Sequence, residues 1–105
     1  MTHTEINKMI LETGLPSAYE HFSEEESPSL PFLLWWLEGE NNFSADNCVY
    51  YSSSQLTIAL YTDEKSPGTE TEIETVLRNH NIFYTKTETW IESEKLYEIL
   101  YETEV

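Results

Sequence analysis

Residues 32–37 of the chain read FLLWWL, six consecutive apolar side chains in a sequence whose formal net charge is −15. Neighbouring side chains of a β-strand point to opposite faces of the sheet, so a strand here places Trp35 and Trp36 on different sides. Both faces of that strand are apolar and each needs a cover. The segment therefore predicts a sheet whose second face meets something other than the first layer of helices.

The N-terminal third predicts a helix and then a loop. Ile6, Met9 and Ile10 recur at helical spacing, and Gly14 provides a stop signal. Residues 15–31 contain three prolines and an acidic cluster, which favour an extended surface loop over a packed element. The first strand is predicted only after this loop, at FLLWWLE.

The remaining chain predicts three strands and one helix. Apolar and polar residues alternate in the second half of residues 49–62, which is typical of a strand. Thr69 with Glu72 forms a capping-box pattern at the start of a helix. Residues 82–91 and 96–105 then predict the last two strands, joined by a short polar connection.

Length and element order together predict the fold class. A chain of 105 residues with 39% hydrophobic content has room for one modest core, so we expect a single domain over residues 1–105. Strands joined by short loops pair antiparallel, and two helices cover only one face of the sheet. The predicted fold is α+β: one four-stranded, mainly antiparallel sheet with two helices on one face, in the order α-β-β-α-β-β.

The face opposite the helices is predicted to expose large apolar side chains. A patch of that kind usually marks an interface. Two covers are possible: a loop that contains Tyr19 and Phe22 folds over the face, or a neighbouring subunit covers it. The candidate subunit-interface residues are Phe32, Leu34, Trp35, Trp36, Tyr50 and Tyr61.

The charge of the chain restricts its partners. Twenty acidic residues stand against five lysines and arginines, without a basic stretch longer than one residue. Binding to a nucleic-acid backbone depends on cationic side chains, so direct nucleic-acid binding is not expected. The acids are interpreted as a solvated surface, as a surface that repels DNA, or as a mimic of DNA toward a basic partner.

No pattern in the sequence points to catalysis, to a cofactor or to a metal site. His3, His21 and His80 belong to different predicted elements, and Cys48 is the only cysteine. The three glycines stand too far apart to form a phosphate-binding loop. We therefore expect a non-enzymatic protein. The chain also lacks an apolar stretch of membrane-spanning length and a signal-peptide pattern, so we expect a soluble protein made in the cytoplasm.

The segments GLPSAYEHF, SPSLPFLLWW, NNFSADNCVYY, LYTDEKSP and IFYTKTETWIESEKLYEILYE resemble, in order and spacing, a family of small structural proteins of long-tailed phages and prophages. The resemblance covers residues 14–105. Members of this family are head-tail joining, tail completion or tail terminator components.

The resemblance implies an α+β subunit similar to tail terminators, which form a ring, typically of six subunits. Such a ring caps the tail tube and presents a surface to the head connector. The implied partners are further copies of the chain, the phage major tail protein and a head-completion or connector protein. The implied location is the virion, at the tail or the head-tail interface, and the host cytoplasm during assembly. In solution the subunit is expected to be either a monomer or a ring. The alternative is a small acidic phage inhibitor that mimics DNA toward a basic host protein.

Overall fold

The computed structural model contains two helices and five strands within the residues that it describes. The structure describes residues 1–23, 25–26, 28–45 and 48–105, and for residues 39–45 and 48–54 it describes the backbone alone. The elements are, in chain order, α1 (His3–Leu11), β1 (Ser17–Tyr19), β2 (Phe32–Ala45), β3 (Cys48–Thr62), α2 (Pro67–Asn79), β4 (Thr85–Ile91) and β5 (Leu96–Glu104).

The strands form one mixed sheet with the order β1-β2-β3-β5-β4. All neighbouring pairs are antiparallel except β1 and β2, which are parallel. The α+β class and the two helices were predicted. The prediction of four strands was wrong, because the sheet has a fifth.

The additional strand is the three-residue β1, in a segment that was predicted to be a loop. Ser17 pairs with Leu33 and Tyr19 with Trp35. The backbone amide of Leu33 donates to the carbonyl of Pro16 at 2.8 Å, and that of Glu20 donates to the carbonyl of Trp35 at 2.9 Å. Three residues beside a proline are too few to show an alternating pattern, so this strand is formed by backbone pairing with the edge of β2.

Both helices pack on the same face of the sheet. The pairing register brings the buried side chains of β2, β3 and β5 onto that face, where they meet the buried stripes of α1 and α2. The core consists of Ile6, Met9, Ile10, Leu33, Trp35, Leu56, Ile58, Leu60, Ile73, Leu77, Ile99 and Tyr101. One layer of helices on one layer of sheet leaves the opposite face of the sheet without a helix.

Residues next to the helix ends explain where the two helices begin and where α2 ends. Thr2 caps α1 in a capping box with Glu5. The start of α2 differs from the predicted box at Thr69, because the helix begins at Pro67, whose fixed φ and missing N–H suit the first turn. Asn81, with φ of 58°, ends α2 in the left-handed conformation.

The hairpin of β2 and β3 is longer than the rest of the sheet. Its pairing runs from Phe32 with Tyr61 to Ala45 with Cys48, while β3 pairs with β5 only from Gln55 onward. The first strand was predicted to end near Glu38, before a turn-rich stretch. The backbone instead continues as a two-stranded arm over residues 39–45 and 48–54, so turn-forming residue types did not end the strand.

Candidate interface on the open sheet face

The face of the sheet that the helices do not cover is called the open face. Its side chains change character across the sheet, from aromatic and aliphatic on β2 to acidic on β5 and threonine-rich on β4. Three successive rows run across it: Phe32, Tyr61, Glu98 and Thr89; Leu34, Ala59, Leu100 and Thr87; Trp36, Thr57, Glu102 and Thr85.

The side chains in the apolar part of the open face cover one another. Ala59 is 0% exposed and Thr57 is 3% exposed, although neither lies under a helix. Larger side chains stand beside them in the same rows, on β2 and β5. Those larger side chains, Leu34, Trp36 and Leu100, are themselves half-buried and still reach solvent. The result is a closely packed apolar strip that can be buried further by a partner.

The polar atoms of the aromatic side chains on this face are satisfied within the chain. The indole Nε1 of Trp36 donates to Oε1 of Glu38 at 2.9 Å, and the hydroxyl of Tyr61 donates to Oε2 of Glu98 at 2.7 Å. Burial and the Glu98 hydrogen bond both raise the pKa of Tyr61 above its ordinary value, so this phenol stays protonated at neutral pH. Both rings can therefore present apolar surface without an unpaired donor.

The loop between β1 and β2 covers one end of the open face. The ring of Phe22 meets Phe32 edge-on with centroids 5.4 Å apart, and Phe32 lies 5.4 Å from the ring of Tyr61. Tyr19, the other aromatic residue considered as a cover, lies on the helical side and contacts Trp35 with centroids 4.8 Å apart. The loop therefore covers the Phe32 end of the open face and leaves the rows of Leu34 and Trp36 accessible.

The structure brings four of the six candidate interface residues together on the open face: Phe32, Leu34, Trp36 and Tyr61. Trp35 has to be removed from the candidates. Its side chain is 1% exposed and packs between His3 and Tyr19 on the helical side, because its neighbour Trp36 points the other way. The side chain of Tyr50 lies outside the described residues.

Two exposed aromatic residues were not considered for an interface or a cover: Trp90, which is 43% exposed on β4, and Phe83. Phe83 is 93% exposed, in the connection between α2 and β4. It was read as part of a strand that began at Ile82, but β4 begins at Thr85. The end of α2 could have indicated this exposure. After Asn81 terminates the helix, Ile82 turns inward, so Phe83 after it turns outward.

A group of charged side chains joins α2 to β4 on the helical side. Glu70 is 4% exposed, and its carboxylate pairs with Lys65 at 2.8 Å and with Lys86 at 2.7 Å. Lys86 also pairs with Glu74 at 2.7 Å, and the Tyr101 hydroxyl donates to Glu74 at 2.8 Å.

These contacts keep Glu70 and Lys86 charged at neutral pH. Burial opposes ionisation of Glu70, but hydrogen bonds from the two lysines outweigh it and hold the pKa of this carboxyl below its ordinary value. Burial likewise opposes the charge of Lys86, while Glu70 and Glu74 raise the pKa of its ammonium group. A carboxylate and an ammonium shifted in these directions are not poised for proton transfer near neutral pH. The group is an electrostatic clamp between α2 and β4.

The histidines do not form a common site. His3 packs against Trp35 with the ring centroids 4.8 Å apart, and Nε2 of His80 lies 2.7 Å from Oε2 of Glu12. Among the residues that the structure describes, no group of three or more histidine, cysteine, aspartate and glutamate side chains is arranged to hold a metal ion. Within the same residues, no helix has the length and apolarity needed to cross a membrane.

No protein-family model matches the chain, and no curated protein matches it. The open face, the charge distribution and the resemblance described above are therefore the features that bear on function.

Proposed function

We propose that the chain is a non-enzymatic virion assembly protein of a long-tailed phage. In this proposal it is a tail terminator, tail completion or head-tail joining subunit with a tail-terminator-like fold. It acts by forming a ring and by stacking between the tail tube and the head connector. Its partners are further copies of itself, the major tail protein and a head-completion or connector protein, and its location is the virion.

The observation that carries this proposal is the open face. An apolar strip of Leu34, Trp36 and Leu100 reaches solvent on a sheet that has helices on its other side only. The side chains of this strip pack on one another, and the indole nitrogen of Trp36 is hydrogen-bonded within the chain. Such a strip is suited to burial against another protein. A closed ring needs a surface on each subunit that meets a different surface on the next, and the open face supplies one of the two.

The charge distribution supports a role next to DNA without binding to it. The apolar strip continues on the same face into Glu98 and Glu102 of β5. A ring that directs such acids toward its channel would repel the phosphate backbone, so DNA could pass without adhering. The net charge of −15 adds to this repulsion.

The alternative is a mimic of DNA, and one observation favours it: Glu98, Glu102 and Glu104 share the open face of β5. From the first to the last of them the strand rises about 20 Å, at about 3.4 Å per residue. Duplex DNA carries about one charge per 1.7 Å, or about twelve over that length. Three carboxylates with Leu100 between them are too sparse to imitate it, so assembly is the better-supported function.

Deletion of the gene from a phage tests the proposal. Without its adaptor the phage should produce DNA-filled heads and separate tails of irregular length, because packaging and tube polymerisation use other proteins. Electron microscopy of the lysate counts both species. A plasmid copy of the intact gene should restore joined virions.

The opposite outcome is equally visible. If the deletion gives normal virions and a defect only in host takeover or lysogeny, the assembly function is wrong and the mimic of DNA replaces it. Electrophoretic mobility at low salt gives a second readout, since the assembly proposal expects no retardation of DNA by the purified chain.

A further inference from the structure

Phe83 is the most exposed large apolar side chain found in the described part of the molecule, at 93%. Single exposed apolar residues are common on protein surfaces and carry no meaning alone. What distinguishes this one is how it is held. Its environment leaves the ring in water without freedom to turn inward.

The residues on either side of Phe83 are fixed against the core. The amide of Ile82 donates to the carbonyl of Leu77 at 2.9 Å, and the Ile82 side chain packs on the core. The ring of Tyr84 meets Tyr101 with centroids 5.3 Å apart. Both neighbours point inward, and Phe83 between them points outward with 93% of its surface exposed.

The backbone of Phe83 is held as well, because its carbonyl accepts a hydrogen bond from Oγ1 of Thr103 on β5. A residue whose backbone is already held in its exposed position loses little backbone freedom when a partner covers it. Phe83 therefore has the properties of a pre-organised anchor.

A cation lies beside this anchor. Arg78 and Phe83 line the same shallow hollow of about 640 Å³ at the end of α2. Three of the five cationic residues, Lys65, Lys86 and Lys95, are in ion pairs, whereas Arg78 has none within the residues that the structure describes. We call Phe83 together with Arg78 the Phe83 anchor.

A groove on the other side of the molecule has the matching chemistry. It has a volume of about 380 Å³, and its lining combines two prolines and one aromatic ring with a serine and one acid. It continues into the open face, because the ring of Phe22 is in contact with Phe32. This Phe22 groove is lined by Pro16, Ser17, Phe22, Glu26 and Pro28.

The anchor and the groove lie at opposite edges of the sheet. Phe83 lies two residues before the start of β4, which is one edge strand. The groove is lined by Ser17 of β1, which is the other edge strand, and by Pro16 just before it. A protrusion at one edge and a recess at the opposite edge are what a head-to-tail contact between identical subunits requires. The charges agree with this pairing, since Arg78 would meet Glu26.

We infer that copies of this chain associate head to tail, with Phe83 of one copy seated in the Phe22 groove of the next and Arg78 beside Glu26. The occupant of the groove is a second copy of the chain. The inference deepens the proposed ring, on which it rests, by naming two complementary surfaces at the opposite edges of the sheet.

Phe83→Ala tests the anchor. In sedimentation velocity of the full chain over a range of concentrations, this variant should weaken self-association by about thirtyfold or more, as loss of a buried hot-spot residue does. Its thermal midpoint should stay that of the wild type, since the ring makes no core contact. Leu11→Ala, at a 59% exposed position on α1, is the matched control and should leave association unchanged.

Mixing two defective variants tests the head-to-tail arrangement. Phe22→Ala and, as a second groove variant that avoids the Phe32 contact, Pro28→Glu should each be as defective as Phe83→Ala when alone. A mixture of the anchor variant with either groove variant keeps one intact contact per pair. It should therefore yield dimers that contain one copy of each and grow no further.

Three results overturn the inference: a wild-type chain that stays monomeric at every concentration, a Phe83→Ala variant that associates like the wild type, or mixtures that form no mixed dimers. The failure of the proposed function looks different. If Phe83→Ala still joins heads to tails when it complements the gene deletion, only this contact is wrong. If the deletion itself has no assembly defect, the proposed function is wrong whatever the chain does in solution.

Discussion

The indole rings of Trp35 and Trp36 lie on opposite faces of the sheet although the two residues are neighbours in the chain. Trp35 is 1% exposed beneath α1, and Trp36 lies half-buried on the open face with its Nε1 bonded to Glu38. One short apolar segment thus supplies both the core and a surface. The same division gives two substitutions with different expected effects.

Trp35→Ala should destabilise the chain far more than Trp36→Ala. Removal of the buried ring leaves a cavity among core side chains and should lower the free energy of unfolding by about 3 to 5 kcal/mol. Trp36 loses only a half-covered surface contact, for which we expect about 1 kcal/mol. Urea unfolding followed by circular dichroism measures both. Equal losses would mean that the open face is packed as tightly as the core.

Glu70→Gln should loosen the attachment of α2 to β4. The amide keeps the size of the carboxylate but removes the charge that pairs with Lys65 and Lys86, and both lysines are partly exposed, which limits the loss. A decrease in unfolding free energy of about 1 to 3 kcal/mol is expected. Glu72→Gln, at an exposed position on the same helix, is the matched control and should change stability little. A control as damaging as the test variant would refute the clamp.

The contribution of Glu70 should disappear in acid. Its folded pKa lies below the ordinary value of 4.5, so its stabilising effect is present above that pH and is lost as the pH falls through the lowered folded value. A protonated glutamic acid and a glutamine are both neutral. The stability curves of wild type and Glu70→Gln should therefore run apart by a constant amount above pH 4.5 and converge below it. Curves that stay parallel into acid would show that the carboxylate charge has no role.

The parts of the fold that were predictable are those with a repeating apolar pattern. The stripes of α1 and α2 and the alternation around Ile58 each extend over enough residues to define a face. β1 could not be predicted, because its three residues are held by backbone bonds to β2 and carry no pattern. The continuation of β2 to Ala45 was missed because pairing with β3 overrides turn-forming residue types.

The candidate interface residues were likewise predictable only where the sequence has a repeating pattern. Phe32, Leu34 and Tyr61 were predicted as interface residues, and they share the open face. The six apolar residues 32–37 carry no alternation, so Trp35 was included with them, although a side-chain period of two puts it on the face opposite Leu34. The same period requires one of two adjacent tryptophans to be internal, but it does not say which. That choice is made by the pairing register with β3, which places Trp35 opposite the buried Ile58.

Leu34→Asp should separate folding from assembly. Leu34 stands in the middle row of the open face, between the rows of Phe32 and Trp36, and it is half-buried without a helix above it. A carboxylate there can reach water in the free subunit, so the chain should still fold. In a ring contact that covers the apolar strip the same charge would be buried without a partner, which is costly.

The expected result is a folded variant that fails to join heads to tails. Complementation of the gene deletion measures joining, and circular dichroism measures folding. Thr89→Asp is the matched control, because Thr89 is exposed on β4 in the Phe32 row of the same face, where its neighbour on β5 is Glu98 and not a residue of the apolar strip. It adds the same charge where no apolar contact is proposed and should complement normally. If Leu34→Asp also complements normally, the open face is not the assembly surface. If both variants fail, the face is sensitive to charge throughout, and the apolar strip is not what the partner recognises.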